Sequence, residues 1–323
     1  GKEKDEPMEK DATLVVWDFD WTIANCNSDE YVPAYFLGVD AVKKRFDELY
    51  SAGVDWHCCV EEQMKDAANG YAEKDYRDAV RTAAACMPYL EDVRRVVEGI
   101  SSISSKEKEK HGDDGLKLVE QVIVSDGNEI FIRSFLEGNG MLPLFSAGIV
   151  SNSASFISAP AETESPPSIK VVPCFGTATS TFPQSHQCPT CPSNLCKSHV
   201  LRHLLSTTYA GCTRPRIIYV GDGSNDACPA LHVLQQGDIL FARTGYAPDA
   251  DPQQRKGKQS DDSYCEKSQS TNFVHTQPPR FRIIPKLDAA KAEGTTIKPD
   301  VYCWNSGKEL HELVNKHVLH KYM

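Results

Sequence analysis

The stretch LVVWDFDWTIANCNSDEY, residues 14–31, carries the strongest structural signal in the chain. It opens with an apolar run, 14–17, of the kind that forms a strand buried on both faces of a parallel sheet. Asp18 and Asp20 follow at once. Because alternate residues of an extended chain project to the same side, their carboxylates would repel each other. A cation is therefore expected beside them, at the end of this strand.

The composition limits the class of protein. The 323 residues are enough for one large domain with a cap, or for two modest domains. A formal net charge of -10 argues against a general nucleic-acid-binding surface. No apolar run approaches the roughly 20 residues of a membrane helix. The charged segment GKEKDEPMEKD at the start lacks the apolar core of a secretory signal. We therefore expect a cytoplasmic protein with no membrane insertion, and no partner protein is implied.

Further strands alternate with helical segments along the chain. Short apolar runs predict strands at 121–124, 148–152, 216–220 and 238–242. Helices are expected at 129–136, 198–205 and 304–318. This alternation predicts an α/β fold with a doubly wound parallel sheet. Ligands of such sheets bind beyond the carboxyl ends of the strands.

A helical insertion is predicted between the first two strands. Apolar residues there recur at helical spacing, as in Val42, Phe46 and Leu49, and no convincing strand appears. We predict the following division: a core at 11–30 and 116–323, a helical cap at 31–100, and loop insertions at 101–115 and 250–277. The two loop segments are polar and poor in apolar residues.

The predicted strands end in acidic or hydroxyl residues. These residues are Asp18 and Asp20, Ser125 and Asp126, and Asp222 and Asp226. Parallel strands bring such ends to one edge of the sheet. An oxygen-rich set without imidazole suits Mg²⁺, which would also reduce the repulsion between a phosphate and a carboxylate nucleophile. Lys197, at the start of a predicted helix, is the natural fixed cation for phosphoryl oxygens.

Four motifs in this order resemble those of haloacid dehalogenase-type phosphohydrolases. They are DFDWTI at 18–23, SD at 125–126, Lys197, and GDGSND at 221–226. The longer segments DFDWTIANCNSDEY, SDGN, CPTCPSNLCK and VGDGSNDACP are similar to the phosphoethanolamine/phosphocholine phosphatase family. That family's plant relatives include enzymes that cleave pyrophosphate and thiamine monophosphate. The resemblance covers most of 13–250 and implies a haloacid dehalogenase-like core with an inserted cap.

The resemblance also implies catalytic roles. Asp18 matches the nucleophile, which forms an aspartyl-phosphate by in-line attack. Asp20 matches the general acid that protonates the leaving alkoxide and then serves as base for the hydrolytic water. Ser125 and Lys197 match the residues that hold the phosphoryl oxygens.

The metal site implied by the resemblance holds Mg²⁺. Asp18, the backbone carbonyl of Asp20, and Asp222 match its ligands. Asp226 belongs to the same metal site, where it and Asn225 would support the ligand shell.

Substrate recognition is implied at two further acids. Asp29 and Asp126 match the carboxylates that face the amino or trimethylammonium group, with Trp21 or Tyr31 as cation–π partners. The expected substrate is a small phosphorylated amine, phosphoethanolamine or phosphocholine. Trp21 and Asn25 depart from the residues common in the family. The same chemistry on pyrophosphate, thiamine monophosphate or another small phosphate therefore remains an alternative.

A cysteine cluster forms the other motif of this chain, which has 12 cysteines. The spacing His186-x-Cys188-x2-Cys191-x4-Cys196 permits a tetrahedral zinc site. Two alternatives stay open, a redox-active C-x-x-C pair and a tight proline-rich loop that positions the following lysine. A non-catalytic, zinc-stabilised scaffold is a further hypothesis. The complete set of four phosphatase motifs argues against it.

Overall fold

The central feature of the computed structural model is one sheet. The model describes residues 12–111, 119–158, 166–210, 213–245 and 281–321. Within them, a seven-stranded sheet has the order β4-β3-β2-β1-β5-β6-β7. The strands are β1 Thr13–Trp17, β2 Val119–Asn128, β3 Ile149–Ile157, β4 Ser168–Val172, β5 Arg216–Gly221, β6 Ile239–Arg243 and β7 Asp300–Trp304.

The pairing of the strands confirms the predicted parallel sheet. β1 lies between β2 and β5 and is parallel to both. β6 and β7 continue one side in parallel, and β3 continues the other. β4 pairs antiparallel with β3 at the edge. The carboxyl ends of β1, β2 and β5 therefore lie side by side, where the motif residues were expected to meet.

Helices cover both faces of this sheet. They are α1 Ser28–Leu37, α2 Val39–Ser51, α3 Trp56–Ala67, α4 Glu73–Ala85, α5 Glu91–His111, α6 Glu129–Gly138, α7 Lys197–Thr207, α8 Ala227–His232, α9 Ile283–Ala292 and α10 Gly307–His317. Among the described residues, no helix combines the length and apolar character needed to cross a membrane.

The apolar run of β1 has two buried faces. Val15 and Trp17 pack into one hydrophobic cluster, and Leu14 and Val16 pack into the other. All five residues of the strand are buried. This is the physical reason that the run is apolar at every position rather than at alternate ones.

The helical insertion begins at Ser28 and contains α1 to α5. Its buried side chains share one hydrophobic cluster with one face of the sheet. The last helix, α5, packs against β2 and α10 and so lies on the α/β layer. The division into core and cap at residues 31 and 100 stays a prediction.

Several predicted boundaries were wrong. The loop predicted at 101–115 is helical as far as His111, because α5 continues through it. Lys and Glu are strong helix formers, but they carry no apolar stripe to reveal a helix. Residues 112–115 and 250–277 lie outside the described residues. The terminal helix starts at Gly307 rather than 304, since β7 occupies Asp300–Trp304.

Candidate active site

A tight loop carries the chain from β1 into the site. The Asp18 N–H donates to Val220 O at 2.9 Å, which extends the pairing of β1 with β5 by one residue. The chain then turns around one carbonyl: the Phe19 oxygen accepts the N–H groups of residues 22, 23 and 24. Trp21 lies at the bend with φ 58°, a conformation that side chains other than glycine rarely adopt. The loop thus presents Asp18 and Asp20 at the end of the central strand.

A buried lysine joins two of the motif acids. The Nζ of Lys197 lies 2.7 Å from Asp18 Oδ1 and 2.6 Å from Asp226 Oδ1. The lysine side chain is fully buried. Burial alone would lower the pKa of Lys197, but the charges of Asp18 and Asp226 raise it above its ordinary value. Lys197 is therefore a fixed cation.

The carboxylate of Asp226 accepts hydrogen bonds from four donors. Its Oδ1 accepts from Lys197 and, at 2.6 Å, from the Tyr219 hydroxyl. Its Oδ2 accepts the N–H groups of Asp222 at 3.1 Å and Gly223 at 2.8 Å. Burial would raise the pKa of Asp226, but Lys197 and these hydrogen bonds lower it. This arrangement suits a residue that supports a metal site better than one that ligates the metal directly.

The neighbouring acids fit a divalent cation. Carboxylate oxygens of Asp18, Asp222 and Asp226 all lie within 4.8 Å of one another. The carboxyl groups of Asp18 and Asp222 are close enough to repel each other when both are ionised, so a proton or a cation between them is favoured. Burial, and then the charge of Asp226, raises the pKa of Asp18 and brings that of Asp222 to about 7. Hard oxygen ligands of this kind suit Mg²⁺.

The side chain of Asp20 points elsewhere. Its Oδ1 accepts the Ser28 N–H at 2.8 Å, and its Oδ2 accepts the Ser28 hydroxyl at 3.2 Å. Burial, and next the charge of Asp29, raises the pKa of Asp20 well above its usual value. A carboxyl group that stays protonated near neutral pH can act as a general acid. If Asp20 ligates a metal, its backbone carbonyl is the group left for that task.

Gly127 lies close to two hydroxyl groups and one carboxyl group of the site. A Cβ atom at Gly127 would lie 3.3 Å from Ser28 Oγ, 3.4 Å from Ser125 Oγ and 3.5 Å from Asp20 Oδ2. The Gly127 N–H donates to Ser125 Oγ at 3.1 Å. Ser125 itself is fully buried and does not line the cleft. Because glycine has no side chain, the hydroxyl groups of Ser28 and Ser125 and the carboxyl group of Asp20 surround one small space here.

The motif residues open into a cleft of about 700 Å³. Its lining includes Asp18, Asp20, Trp21, Asn27, Asp29, Tyr50, Trp56, Asp126, Gly127, Thr190, Cys191, Pro192, Asn194, Asp222, Gly223, Ser224, Asn225 and Arg282. This volume falls within the usual range for small-molecule sites. Most of the predicted catalytic and substrate-facing acids therefore share one cavity.

Asp29 and Asp126 are held by different partners. Asp29 is buried, and its two oxygens accept from Trp56 Nε1 at 2.8 Å and Asn128 Nδ2 at 3.0 Å. Burial raises the pKa of Asp29 to about 6. Asp126 is half-buried, and its Oδ2 accepts from Asn225 Nδ2 at 3.0 Å. Both carboxylates reach the cleft from segments far apart in sequence.

The aromatic residues of the cleft differ in part from the predicted pair. Trp21 lines it, but Tyr31 is buried and its hydroxyl donates to Cys86 O at 2.9 Å. The predicted cation–π role of Tyr31 is therefore wrong. Trp56 and Tyr50 line the cleft instead. In the sequence, no local pattern distinguishes Trp56 and Tyr50 from the ordinary aromatic residues of amphipathic helices.

Comparison with known proteins identifies the family of this chain. A family model described as Putative Phosphatase matches residues 13–263. The chain belongs to this family. It is a phosphatase of the haloacid dehalogenase type, as the four motifs indicated.

The names of the relatives of this phosphatase refer to different substrates. The thiamine phosphate phosphatase-like protein of Arabidopsis thaliana is 28% identical over 72% of this chain and 81% of its own. A pyridoxal phosphate phosphatase of Bos taurus is 28% identical over 72% and 83%. The phosphoethanolamine/phosphocholine phosphatase of Homo sapiens is 27% identical over 72% and 74%. The reaction class is therefore shared, while the named substrates differ.

Arg243 is a site residue that the motifs of this phosphatase did not reveal. It is fully buried at the end of β6, beside the ring of Trp304 at 5.0 Å. Its guanidinium donates to Asn25 Oδ1 at 2.8 Å and to the backbone oxygen of Trp21. Arg243 thus holds the loop that follows the nucleophile. In the sequence, the only sign of this role is that a charged residue follows the apolar run 238–242.

The cysteine cluster has a different fourth member from the one predicted. The Sγ atoms of Cys188, Cys191 and Cys196 lie within 4.8 Å of one another and of Cys228. His186 is not part of this group. Its Nε2 contacts Pro192 O at 2.9 Å. The predicted set of His186 with three cysteines is wrong, because the chain brings α8 to the cluster from a distant segment.

Proposed function

We propose that this phosphatase is a Mg²⁺-dependent phosphomonoesterase that hydrolyses phosphoethanolamine or phosphocholine through an aspartyl-phosphate on Asp18. One observation carries the proposal. The cleft that contains Asp18 and Asp222 also contains Asp29 and Asp126. A substrate with a phosphate at one end and an ammonium at the other would find a partner for each charge.

The first chemical step uses Asp18 and Asp20. A carboxylate oxygen of Asp18 attacks phosphorus in line, and the ester P–O bond breaks as the new P–O bond forms. Asp20 gives its proton to the leaving alkoxide. The raised pKa of Asp20 supports this role, because the carboxyl group must hold a proton before the step begins.

The second step restores the enzyme. Asp20, now ionised, removes a proton from water, and the resulting oxygen attacks the phosphorus of the aspartyl-phosphate. The bond to Asp18 breaks, and inorganic phosphate leaves. Lys197 and Ser125 would stabilise the phosphoryl oxygens, and Lys197 also keeps the Asp18 carboxylate oriented through their 2.7 Å contact.

Asp18, Asp222 and the backbone carbonyl of Asp20 would hold Mg²⁺, with Asp226 and Asn225 supporting them. When bound, the ion lowers the repulsion between the phosphate and the attacking carboxylate. The closeness of Asp18 and Asp222, whose carboxylate oxygens lie within 4.8 Å of each other, supports this assignment, since two buried carboxylates need compensation. The saturated hydrogen bonding of Asp226 supports its indirect role.

Acidic and aromatic groups in the lining of the cleft support an amine. Asp29 and Asp126 supply negative charge, and Trp21 and Trp56 supply aromatic surface. Both groups favour a primary or quaternary ammonium. The name of the human relative agrees with this substrate class.

A second candidate keeps the chemistry and enlarges the substrate. Three aromatic residues, Trp21, Tyr50 and Trp56, line a cleft of about 700 Å³. They favour a phosphate ester with a flat ring, such as thiamine monophosphate or pyridoxal phosphate, the substrates named for the Arabidopsis and cattle relatives. Pyrophosphate, which has neither a ring nor an ammonium, uses none of these groups.

The test is phosphate release with Mg²⁺ across five substrates: phosphoethanolamine, phosphocholine, thiamine monophosphate, pyridoxal phosphate and glycerol phosphate. We expect kcat/KM to be highest for the first two. A preference for thiamine monophosphate or pyridoxal phosphate would replace the proposal with the second candidate. A preference for glycerol phosphate would refute the assigned roles of Asp29 and Asp126.

A further inference from the structure

We propose that Cys188, Cys191, Cys196 and Cys228 bind a structural zinc ion as four thiolates. The Sγ atoms of these residues lie within 4.8 Å of one another. Tetrahedral zinc with Zn–S bonds of about 2.3 Å requires sulfur atoms about 3.8 Å apart. The Sγ atoms of Cys188 and Cys228 are 3.5 Å apart, close to this value. Changes of about 1 Å or less in the distances between the sulfur atoms would complete the tetrahedron.

The neighbouring histidine is committed to other partners. The Nε2 of His186 lies 2.9 Å from Pro192 O, and its Nδ1 accepts the Cys188 N–H at 3.3 Å. All four cysteines of the cluster are free thiols. A redox role needs only one pair of thiols, whereas four converge here. Four thiols around one point are typical of a closed structural zinc site.

A hydroxyl group beside the cluster suits thiolate ligands. The Ser198 hydroxyl lies 2.9 Å from Cys228 Sγ and can donate to it. Ser198 follows Lys197 at the start of α7. Donors of this kind orient metal-bound thiolates and reduce their charge. The helix start is therefore itself part of the metal environment.

The cluster connects the two segments that hold the catalytic lysine and its partner. Cys196 directly precedes Lys197, and Cys228 follows Asp226 by two residues. The Cys191 sulfur lies 4.0 Å from the backbone oxygen of Asn225. The described residues 173–196 form no helix or regular strand, so few backbone hydrogen bonds fix them. A zinc ion would clamp this segment to α8 and set the contact between Lys197 and Asp226.

The zinc proposal goes beyond the proposed function, because it requires neither an amine substrate nor Mg²⁺. The first test is the metal content of the purified full chain after dialysis against excess Mg²⁺ without chelator, which displaces adventitious zinc from the carboxylate site. We expect one zinc ion per chain. The cobalt-substituted protein should show a sulfur-to-cobalt charge-transfer band, which carboxylate ligands cannot produce. A zinc-free protein whose four thiols react freely with a thiol reagent would overturn the proposal.

Variants distinguish the ligand sets. Cys228→Ser should lose most of the zinc, whereas His186→Ala and the surface control Cys303→Ser should keep it. Cys188→His should also keep it, because three thiolates and one imidazole still form a zinc site. The reverse result, zinc lost in His186→Ala and kept in Cys228→Ser, would restore the set expected from sequence spacing and refute ours.

A third measurement covers the case in which Cys228→Ser does not fold. Zinc is removed from the wild-type protein with a strong chelator, and limited proteolysis is followed within 173–196. We expect faster cleavage there and a fall in kcat that exceeds the rise in KM, since the ion would position Lys197 while the same segment contributes Cys191 and Pro192 to the cleft lining. Unchanged proteolysis and kcat after complete zinc removal would contradict the positioning role.

Discussion

Two charged regions of the candidate site are built in different ways. Asp18, Lys197 and Asp226 form a buried network where β1 and β5 end and α7 begins, with contacts of 2.6–2.7 Å. Asp29 lies on α1 and is held by Trp56 from α3. The first region has its charges balanced by a buried lysine, whereas the second depends on packing between helices of the insertion. Under the proposed function, the reaction therefore depends on the strand ends and the recognition of the amine depends on the helical insertion.

The largest effect is expected from the nucleophile. Asp18→Asn keeps the shape of the side chain and removes the attacking oxygen's charge. We expect kcat to fall by at least about 10⁴-fold on every substrate, as for other removed nucleophiles. Phosphate release in single-turnover and steady-state assays measures this, and circular dichroism checks the fold. Substantial activity in the variant would place the nucleophile elsewhere.

The second prediction concerns the buried lysine. Lys197→Met would leave Asp18 and Asp226 buried without their cation. We expect loss of turnover and a decrease of about 3–5 kcal/mol in the free energy of unfolding, measured with urea. The matched control is Lys170→Met, which removes an exposed ion pair with Glu61 and should change stability by no more than about 1 kcal/mol. Equal effects of both variants would refute the balanced-network interpretation.

The third prediction tests the region around Asp29. Asp29→Asn removes the negative charge that faces an ammonium. We expect KM for phosphoethanolamine to rise about 10- to 100-fold, at about 1.4 kcal/mol per factor of ten. Glycerol phosphate should show no such rise. A smaller fall in kcat should be common to both substrates, because the charge of Asp29 helps to raise the pKa of Asp20. Glu30→Gln, which changes an adjacent acid outside the cleft lining, is the control. An equal rise in KM for both substrates would mean that Asp29 maintains the fold rather than binds an amine.

The fourth prediction uses pH. Burial raises the pKa of Asp29 to about 6, so the carboxylate is charged above that pH and neutral below it. KM for phosphoethanolamine should therefore rise as the pH falls through about 6, by up to tenfold per unit. Glycerol phosphate corrects for the titration of the phosphate itself. Parallel KM profiles for the two substrates would exclude Asp29 as the titrating group.

The smallest effect is expected from Trp56→Phe. This change removes the 2.8 Å hydrogen bond from Nε1 to Asp29 and keeps an aromatic ring against Phe46, which stacks at 4.3 Å. Losing a donor to the charged form should move the pKa of Asp29 further upward. We expect the pH midpoint of KM to rise and the stability to fall by about 1 kcal/mol. A midpoint that stays in place would show that this hydrogen bond does not set the charge of Asp29.

Much of the site at the strand ends could be predicted from the sequence. The apolar run of β1 marks a strand buried on both faces, and the parallel order of the sheet brings the residues that follow β1, β2 and β5 together. Asp18, Asp222 and Asp226 accordingly meet within 4.8 Å. Local patterns suffice here because each of these acids follows a strand, and parallel strands place their carboxyl ends at one edge of the sheet. They did not suffice for Asp20, which was expected to project beside Asp18 but instead accepts hydrogen bonds from Ser28.

The region around Asp29 and the cysteine cluster were decided by tertiary structure. Trp56 reaches Asp29 and Cys228 replaces His186 through contacts between segments far apart in the chain. Tyr31 turns away from the cleft for the same reason, since its hydroxyl finds Cys86. The sequence alone determined the parallel α/β class of the core, the acids at the strand ends and the reaction class. Only the packing of helices and loops decided which side chains line the cleft. Contacts depend on distance in space, and the spacing of residues along the chain does not specify that distance.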